Sequence, residues 1–213
     1  MEAGARVYGG VSADERHARR REQLLDAGLE LLGTKGWSGT TMTAVCAEAG
    51  LTERYFYESF ADRETLLVAV FDRITEEAAR AVLAAVEASP ADARARSRAA
   101  IAAFIELMTD DPRRGRVAFV EAMGSEALMR RRFETLDTFA DLLAGQARDF
   151  YGLEAGSGRM VGLTSFLLVG GLAETLIAWM NGALDTSREQ LIDDCADLFV
   201  ATGEAAVRLA RER

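Results

Sequence analysis

Apolar residues recur every three to four positions along nearly the whole of this chain, the period of helices that bury one face. Leu24, Ala27, Gly28, Leu31 and Leu32 make the first stripe. Ser12 stands three residues ahead of Glu15, the spacing of a capping box, so the first helix begins there. Gly36 is placed to end it as the residue that turns left-handed. Thr41 then caps a second helix with Met42, Val45, Cys46 and Ala49 inward, and Gly50 stops it. Thr52 caps a third helix that reaches only to about Ser59, and Asp62 caps a fourth that runs from Arg63 to about Glu87.

The pattern resumes after "EASPAD". A fifth helix covers about Asp92 to Thr109, a turn at Pro112 leads into a shorter apolar helix over 113–123, and a long helix follows over 125–151. "GLEAGSG" reads as a linker. Residues 159–182 are apolar nearly all round and 187–211 form a last amphipathic helix. No segment alternates with the period of a strand. The expected fold is all-α with about nine helices: a loose arm over 1–13, a three-helix head over 14–62, and a larger helical domain over 63–213.

Composition changes this picture little. Apolar residues make up 49% and charged residues 28%, as in an ordinary globular protein. The two cysteines, Cys46 and Cys195, lie far apart in helical patterns and read as reduced thiols. No uninterrupted apolar run looks long enough to span a bilayer and the N-terminus lacks an apolar signal region, so the chain is expected to be cytoplasmic with no membrane partner. The net charge of −9 argues against broad nucleic-acid affinity, so charge has to be read locally.

The local reading centres on residues 41–63. Two short helices joined by about four residues containing Gly50 form a helix-turn-helix, an arrangement that lays its second helix in a DNA major groove. On a wheel of the third helix, Phe56 and Phe60 fall inward with Thr52. Arg54 points opposite, Tyr55 and Tyr57 flank the outer face, and Glu58 lies near its middle. A phenol there can donate to a phosphate or lie on a thymine methyl, and Arg54 can fork onto guanine O6 and N7. Thr41 and Thr52 sit at helix starts, where free N–H groups favour a phosphate. Arg63 can reach the backbone, and Arg16, His17, Arg19, Arg20 and Arg21 can track phosphates. Glu53 and Glu58 either accept from cytosine N4 or weaken non-specific binding, the second being the reading for Glu53. Residues 1–65 carry eight basic and eleven acidic groups, which supports a rival reading of the chain as a helical interaction or sensor module that does not bind DNA.

Arg21, Leu24, Leu25, Ala27, Leu31, Gly36, Trp37, Thr41, Val45, Cys46, Ala49, Gly50, Leu51, Thr52, Tyr57, Phe60, Arg63, Glu64 and Leu66 resemble, in order and spacing, the N-terminal signature of tetracycline-repressor (TetR) type regulators. The resemblance covers about a quarter of the chain. It implies a ligand-responsive repressor that binds a palindromic operator in double-stranded DNA as a homodimer and is released by a small effector. Carried over by position, Thr43, Thr52, Arg54, Tyr55, Tyr57 and Arg63 would touch DNA, with Thr41 and Ser59 secondary. Cys46 stands where that family usually has alanine, and Gly28 replaces a common alanine and should loosen helix one slightly.

In the rest of the chain, Gly162, Gly170, Gly171 and Ala173 allow close helix approach, so residues 159–182 and 187–211 are the expected dimer surface. Phe104, Met108, Phe119, Met123, Phe139, Leu143 and Phe166 are core residues on periodicity alone, and are also the candidate lining for a largely apolar effector. Glu121 and Glu174 lie inside apolar stretches and must face solvent, pair with an arginine, or meet a polar ligand group. An enzyme is not expected: His17 is the only histidine, and there is no H-E-x-x-H, C-x-x-C or phosphate loop after a strand. No cofactor or metal is called for.

Overall fold

The computed structural model describes residues 12–121, 125–153 and 158–212. The arm expected over 1–13 falls almost wholly outside them, as does most of the expected linker. Among the described residues the chain forms nine α-helices and no strand. These are α1 (Ala13–Gly39), α2 (Met42–Ala49), α3 (Glu53–Ser59), α4 (Arg63–Glu87), α5 (Ala93–Asp110), α6 (Pro112–Gly115), α7 (Glu126–Tyr151), α8 (Gly158–Met180) and α9 (Arg188–Arg211).

Local chemistry sets the helix ends. The Ser12 hydroxyl accepts from the Glu15 amide at 3.0 Å while the Glu15 carboxylate accepts from the Ser12 amide at 2.6 Å. Ser187 and Gln190 repeat the box at α9. The α1 path breaks at Gly36, whose φ of 73° suits only glycine, and Gly50 closes α2 at φ 64°. Asp62 starts α4 by accepting from both the amide and the hydroxyl of Thr65, at 2.7 and 2.8 Å, and these bonds hold its carboxyl below the usual range. Thr52 precedes α3 in extended geometry, yet its hydroxyl makes no capping bond.

The helices fall into two compact units. The first takes the described residues of Met1–Ile74 together with those of Pro112–Met129. Its core joins Leu24, Leu25, Leu31 and Leu32 of α1 to Val45, Phe56, Phe60, Leu66, Leu67, Val70 and Phe71, all buried. A Cβ on Gly28 would come within 2.8 Å of the Val70 Cγ2, so this glycine lets α1 lie close to α4 rather than merely loosening α1. The segment after Pro112 is not the simple short helix expected from periodicity. It is one α-turn followed by a π-helical stretch, Arg116–Val120. Val117, Ala118 and Phe119 point into the core of this unit. A Cβ on Gly33 would stand 2.4 Å from the Arg113 Cβ, so α1 and α6 touch backbone to backbone there.

The second unit holds Thr75–Asp111 and Arg130–Arg213 as far as they are described. Within it α9 packs against both α5 and α8, burying Leu191, Ile192, Cys195, Ala196, Ala206 and Val207. Arginines of α5 lace the seam: Arg94 forks onto Asp197 at 2.6 and 3.3 Å, and Arg98 reaches Asp193 at 2.7 Å and also Glu189. Arg188 of α9 answers with Asp110 at 2.5 Å. Both cysteines are free and buried, and burial pushes each thiol up. The apolar run of α8 is longer than the sequence pattern suggested. α8 is long and apolar enough, by length and composition, to cross a membrane, although only 22% of its most apolar stretch is buried within the chain.

The cap on α4 has a measurable weight. D62A should lower stability to denaturant by about 1 kcal/mol at neutral pH. Because the Asp62 carboxyl is held below its ordinary range, its contribution is complete at neutral pH and fades as acid protonates it. The gap between wild type and D62A, followed by urea unfolding, should therefore close as the pH falls.

Candidate nucleic-acid interface

α3 spans seven residues, too few to persist without tertiary anchors. Phe56 and Phe60 supply these. They are 0% and 3% exposed, with ring centroids 6.0 Å apart. The opposite side carries Glu53, Arg54, Tyr57 and Glu58, all exposed. Tyr57 is the most telling: 58% of it is open, and its ring meets Phe56 edge to face with centroids 5.7 Å apart. A large aromatic left in water on a helix whose neighbours are buried is a candidate contact rather than core.

The other predicted residues are placed as follows. Thr41 is exposed and caps α2, its hydroxyl accepting from the Ala44 amide at 3.2 Å, and Thr43 of α2 and Thr52 ahead of α3 are also exposed. Arg54 is open to solvent and ion-paired with Glu58 at 3.1 Å. Tyr55 is less free than the wheel implied, because the Arg20 guanidinium lies over its ring at 4.4 Å. Ser59 is half-buried and its hydroxyl oxygen is buried without a hydrogen-bond partner, so it does not share the open face. Arg63 is half-buried, stacked on the Trp37 ring at 4.4 Å and donating to the Thr40 carbonyl at 3.4 Å. Sequence reasoning grouped Arg20 with arginines that track phosphates. The structure holds it on the protein, between Tyr55 and Glu58.

Charge around α3 is mixed: Arg20 and Arg54 both engage Glu58, Arg63 stacks on Trp37, and Glu48, Glu53, Asp62 and Glu64 are exposed.

The candidate effector residues divide between the two units. Phe119 and Glu121 belong to the first unit, and Met123 lies outside the described residues. Glu121 is an internal partner: 11% exposed, its carboxylate accepts from the Trp37 amide at 2.8 Å and from Arg116 Nε at 2.9 Å. Arg116 in turn donates to the Thr34 carbonyl at 3.2 Å, and Arg113 pairs with Glu30 at 2.7 Å. The π-helical turn explains the register, since it sets Glu121 one π-turn after Arg116. In the second unit, Phe104 and Phe139 meet with centroids 6.3 Å apart, Met108 is buried and Leu143 half-buried. Phe166 is 47% exposed, and Glu174 is exposed and paired with Arg132 at 2.5 Å. Among the described residues no group of three His, Cys, Asp or Glu side chains is placed to hold a metal.

Residues 24–70 match the family described as "Bacterial regulatory proteins, tetR family". Over its length the chain is similar to two curated proteins. It is 29% identical over 196 residues to the HTH-type transcriptional regulator BetI of Paraburkholderia phymatum, covering 87% of this chain and 95% of that one. It is 25% identical over 197 residues to the HTH-type transcriptional activator FasR of Mycolicibacterium smegmatis, covering 90% and 86%. In fold it is similar to the transcriptional regulator FadR of Bacillus subtilis, solved in complex with stearoyl-CoA. The TM-score is 0.69 at 18% identity, over 85% of this chain and 98% of that one.

The Glu121 contacts predict a stability effect in the first unit. E121A leaves the Trp37 amide and Arg116 without their shared acceptor and should cost about 1–3 kcal/mol in urea unfolding. E121Q keeps an acceptor of the same shape and should cost less.

Proposed function

We propose that this chain, a transcriptional regulator that belongs to the tetR family of bacterial regulatory proteins through residues 24–70, is a homodimeric repressor that binds a near-palindromic operator and is released by a small, largely apolar effector. A regulator of this kind is not an enzyme. The observation that carries the DNA reading is the two-sided α3: Phe56 and Phe60 locked inside, Tyr57 and Arg54 left outside. In this reading Arg54 and Tyr57 contact bases or phosphates, Thr43, Thr52 and Arg63 contact the backbone, Tyr55 supports Arg20, Thr41 is secondary, and Ser59, its hydroxyl buried, drops out. The head over 14–62 reads DNA, and residues 63–213 bind effector and dimerise.

Dimerisation is supported by an uncovered stripe on α8. Leu163, Phe166 and Leu167 are 55%, 47% and 64% exposed, and Leu198 of α9 is 63% exposed. Gly170 and Gly171 continue the stripe at helical spacing, and a Cβ on either, or on Gly162 or Gly203, would meet nothing within 4 Å. Small residues flanked by exposed leucines form a surface that another helix pair can approach closely. A second copy is the occupant we assign to it, which also accounts for the membrane-like composition of α8 in a protein that works on cytoplasmic DNA. Two copies would set their α3 helices about one DNA turn apart. For the effector, the aromatic pair Phe104 and Phe139 with Met108 and Leu143 is the favoured lining, because Phe166 and Glu174 share the α8 stripe. FadR holds an acyl-CoA within the same fold, which favours a ligand with a long apolar part.

The name of the Mycolicibacterium smegmatis relative favours activation as a second reading. A reporter driven from the bound DNA separates the two, since repression lowers transcription when the chain is present.

Selection of bound duplexes from a random pool should return a near-palindrome, and Y57A should lose binding to it by more than tenfold while remaining a folded dimer (roughly, from the worth of one well-placed contact). Unchanged affinity in Y57A would remove Tyr57 from the interface. L167E should convert the dimer to monomer in sedimentation equilibrium, and a dimer of unchanged strength would move the interface off α8.

A further inference from the structure

We propose that Glu58 is a specificity-determining residue of the DNA-reading face. It presents Arg54 to a base edge, and its charge penalises any duplex that offers Arg54 no guanine. The proposal rests on the reading of α3 as the element that enters the groove.

The geometry is a bridge of two arginines through one carboxylate. Glu58 Oε1 accepts from Arg54 Nε at 3.1 Å, and Glu58 Oε2 accepts from Arg20 Nη2 at 3.3 Å. The two arginines differ in freedom. The Arg20 side chain is only 23% exposed and its guanidinium lies 4.4 Å from the Tyr55 ring centre, so it is a fixed post reaching across from α1. The Arg54 side chain is 83% exposed. An isolated surface pair four residues apart on a helix would matter little. Here the carboxylate is pinned from its other side by a residue 38 positions away, so it holds a defined place and transmits that place to Arg54.

Which nitrogen is held matters. Glu58 grips Arg54 by Nε, and the Nη1 and Nη2 groups have no partner among the described residues. Those two nitrogens carry the parallel N–H pair that fits guanine O6 and N7. Arg54 is therefore oriented with its forked end outward, and the cost of ordering its flexible side chain is met before DNA arrives. The negative charge acts in parallel. Each phosphate neutralised contributes to salt-dependent affinity, and a carboxylate on the face subtracts from it. A guanine contact offsets that loss and an unrelated sequence does not. Glu53 is an internal control, being exposed and acidic on the same helix but in no ion pair among the described residues.

The test uses the full chain and the duplex recovered by random-pool selection, titrated across salt. Wild type, E58A, E58Q, E53Q, R54A and the double variant E58A/R54A are compared on that duplex, on versions with each guanine replaced singly, and on an unrelated duplex. E58A should bind the unrelated duplex about threefold to tenfold tighter, with a steeper salt dependence. Its preference for the selected duplex should fall by roughly tenfold or more, at the guanine that R54A no longer senses. E58A/R54A should show no further loss of preference beyond R54A. E58Q keeps an acceptor for Arg54 Nε and should retain part of the guanine preference, while binding unrelated DNA like E58A. E53Q should raise unrelated binding only. The proposal is overturned if E58A keeps its preference within twofold, if its loss matches that of E53Q, or if the lost discrimination falls on a cytosine that R54A still senses. If wild type binds no duplex at low salt, the DNA reading itself fails and this proposal with it, an outcome distinct from the other three.

Discussion

The burial of two phenylalanine rings is the constraint on which the rest of this molecule depends. α3 has seven residues, and a helix of two turns has no stability of its own in water. Phe56 and Phe60 sit on one side of it and are all but removed from solvent, each contributing about 1.5–3 kcal/mol in transfer terms. That is enough to hold a short helix against α1 and α2, both of which it contacts. Once those rings are seated, the rotation of α3 has no freedom left. Tyr57 and Arg54 are outside because Phe56 and Phe60 are inside, and an outward tyrosine and arginine are what a groove can use.

Electrostatics then refines a face that packing has chosen. The chain carries a net charge of −9 and its first third is itself acidic, so attraction to DNA cannot come from bulk charge. It has to come from placement. Arg20 on the Tyr55 ring, Arg63 on the Trp37 ring and Arg54 on Glu58 are each held by a protein group rather than left to swing. Rings and a carboxylate hold guanidiniums without using all of their N–H groups, so these arginines are fixed and still able to donate. An acidic background with a few fixed cations favours discrimination over affinity, because loose contacts with arbitrary phosphates gain little.

How much of this was legible in the sequence follows from the range of the interactions. The capping box at Ser12, the glycine stops at Gly36 and Gly50, and the inward and outward sides of α3 all lie within a few residues of their causes, and periodicity or local chemistry carries them. Contacts that close long loops were out of reach. Nothing near Glu121 in sequence says that its carboxylate meets the Trp37 amide, 84 residues away, or that a π-helical turn sets its register. The same holds for Arg20, which looks like one of several basic residues at a helix start until the fold lays it on Tyr55. Gly33 gave no signal either, because its role is the absence of a Cβ where Arg113 arrives. For the effector, periodicity marked every inward aromatic alike. It could not separate Phe119, which serves the core of the first unit, from Phe104 and Phe139, which meet in the second.

α8 shows the limit of composition as evidence. Judged by length and apolar content it is equally suited to a bilayer, a protein core or a helix–helix interface. The distribution of exposure separates these. Ser165, Ala173 and Leu176 are buried within the chain, so one side of α8 is already committed to protein. Glu174 of α8 pairs with Arg132 of α7, an ion pair that hydrocarbon would tax heavily and water tolerates. What remains open is a narrow strip of leucine, phenylalanine and glycine with unfilled space above each glycine. A facing helix can use the shallow glycine positions to come near enough for the leucines to interlock. The same feature that makes α8 look like a membrane span is, in the dimer proposed above, the surface offered to a second copy.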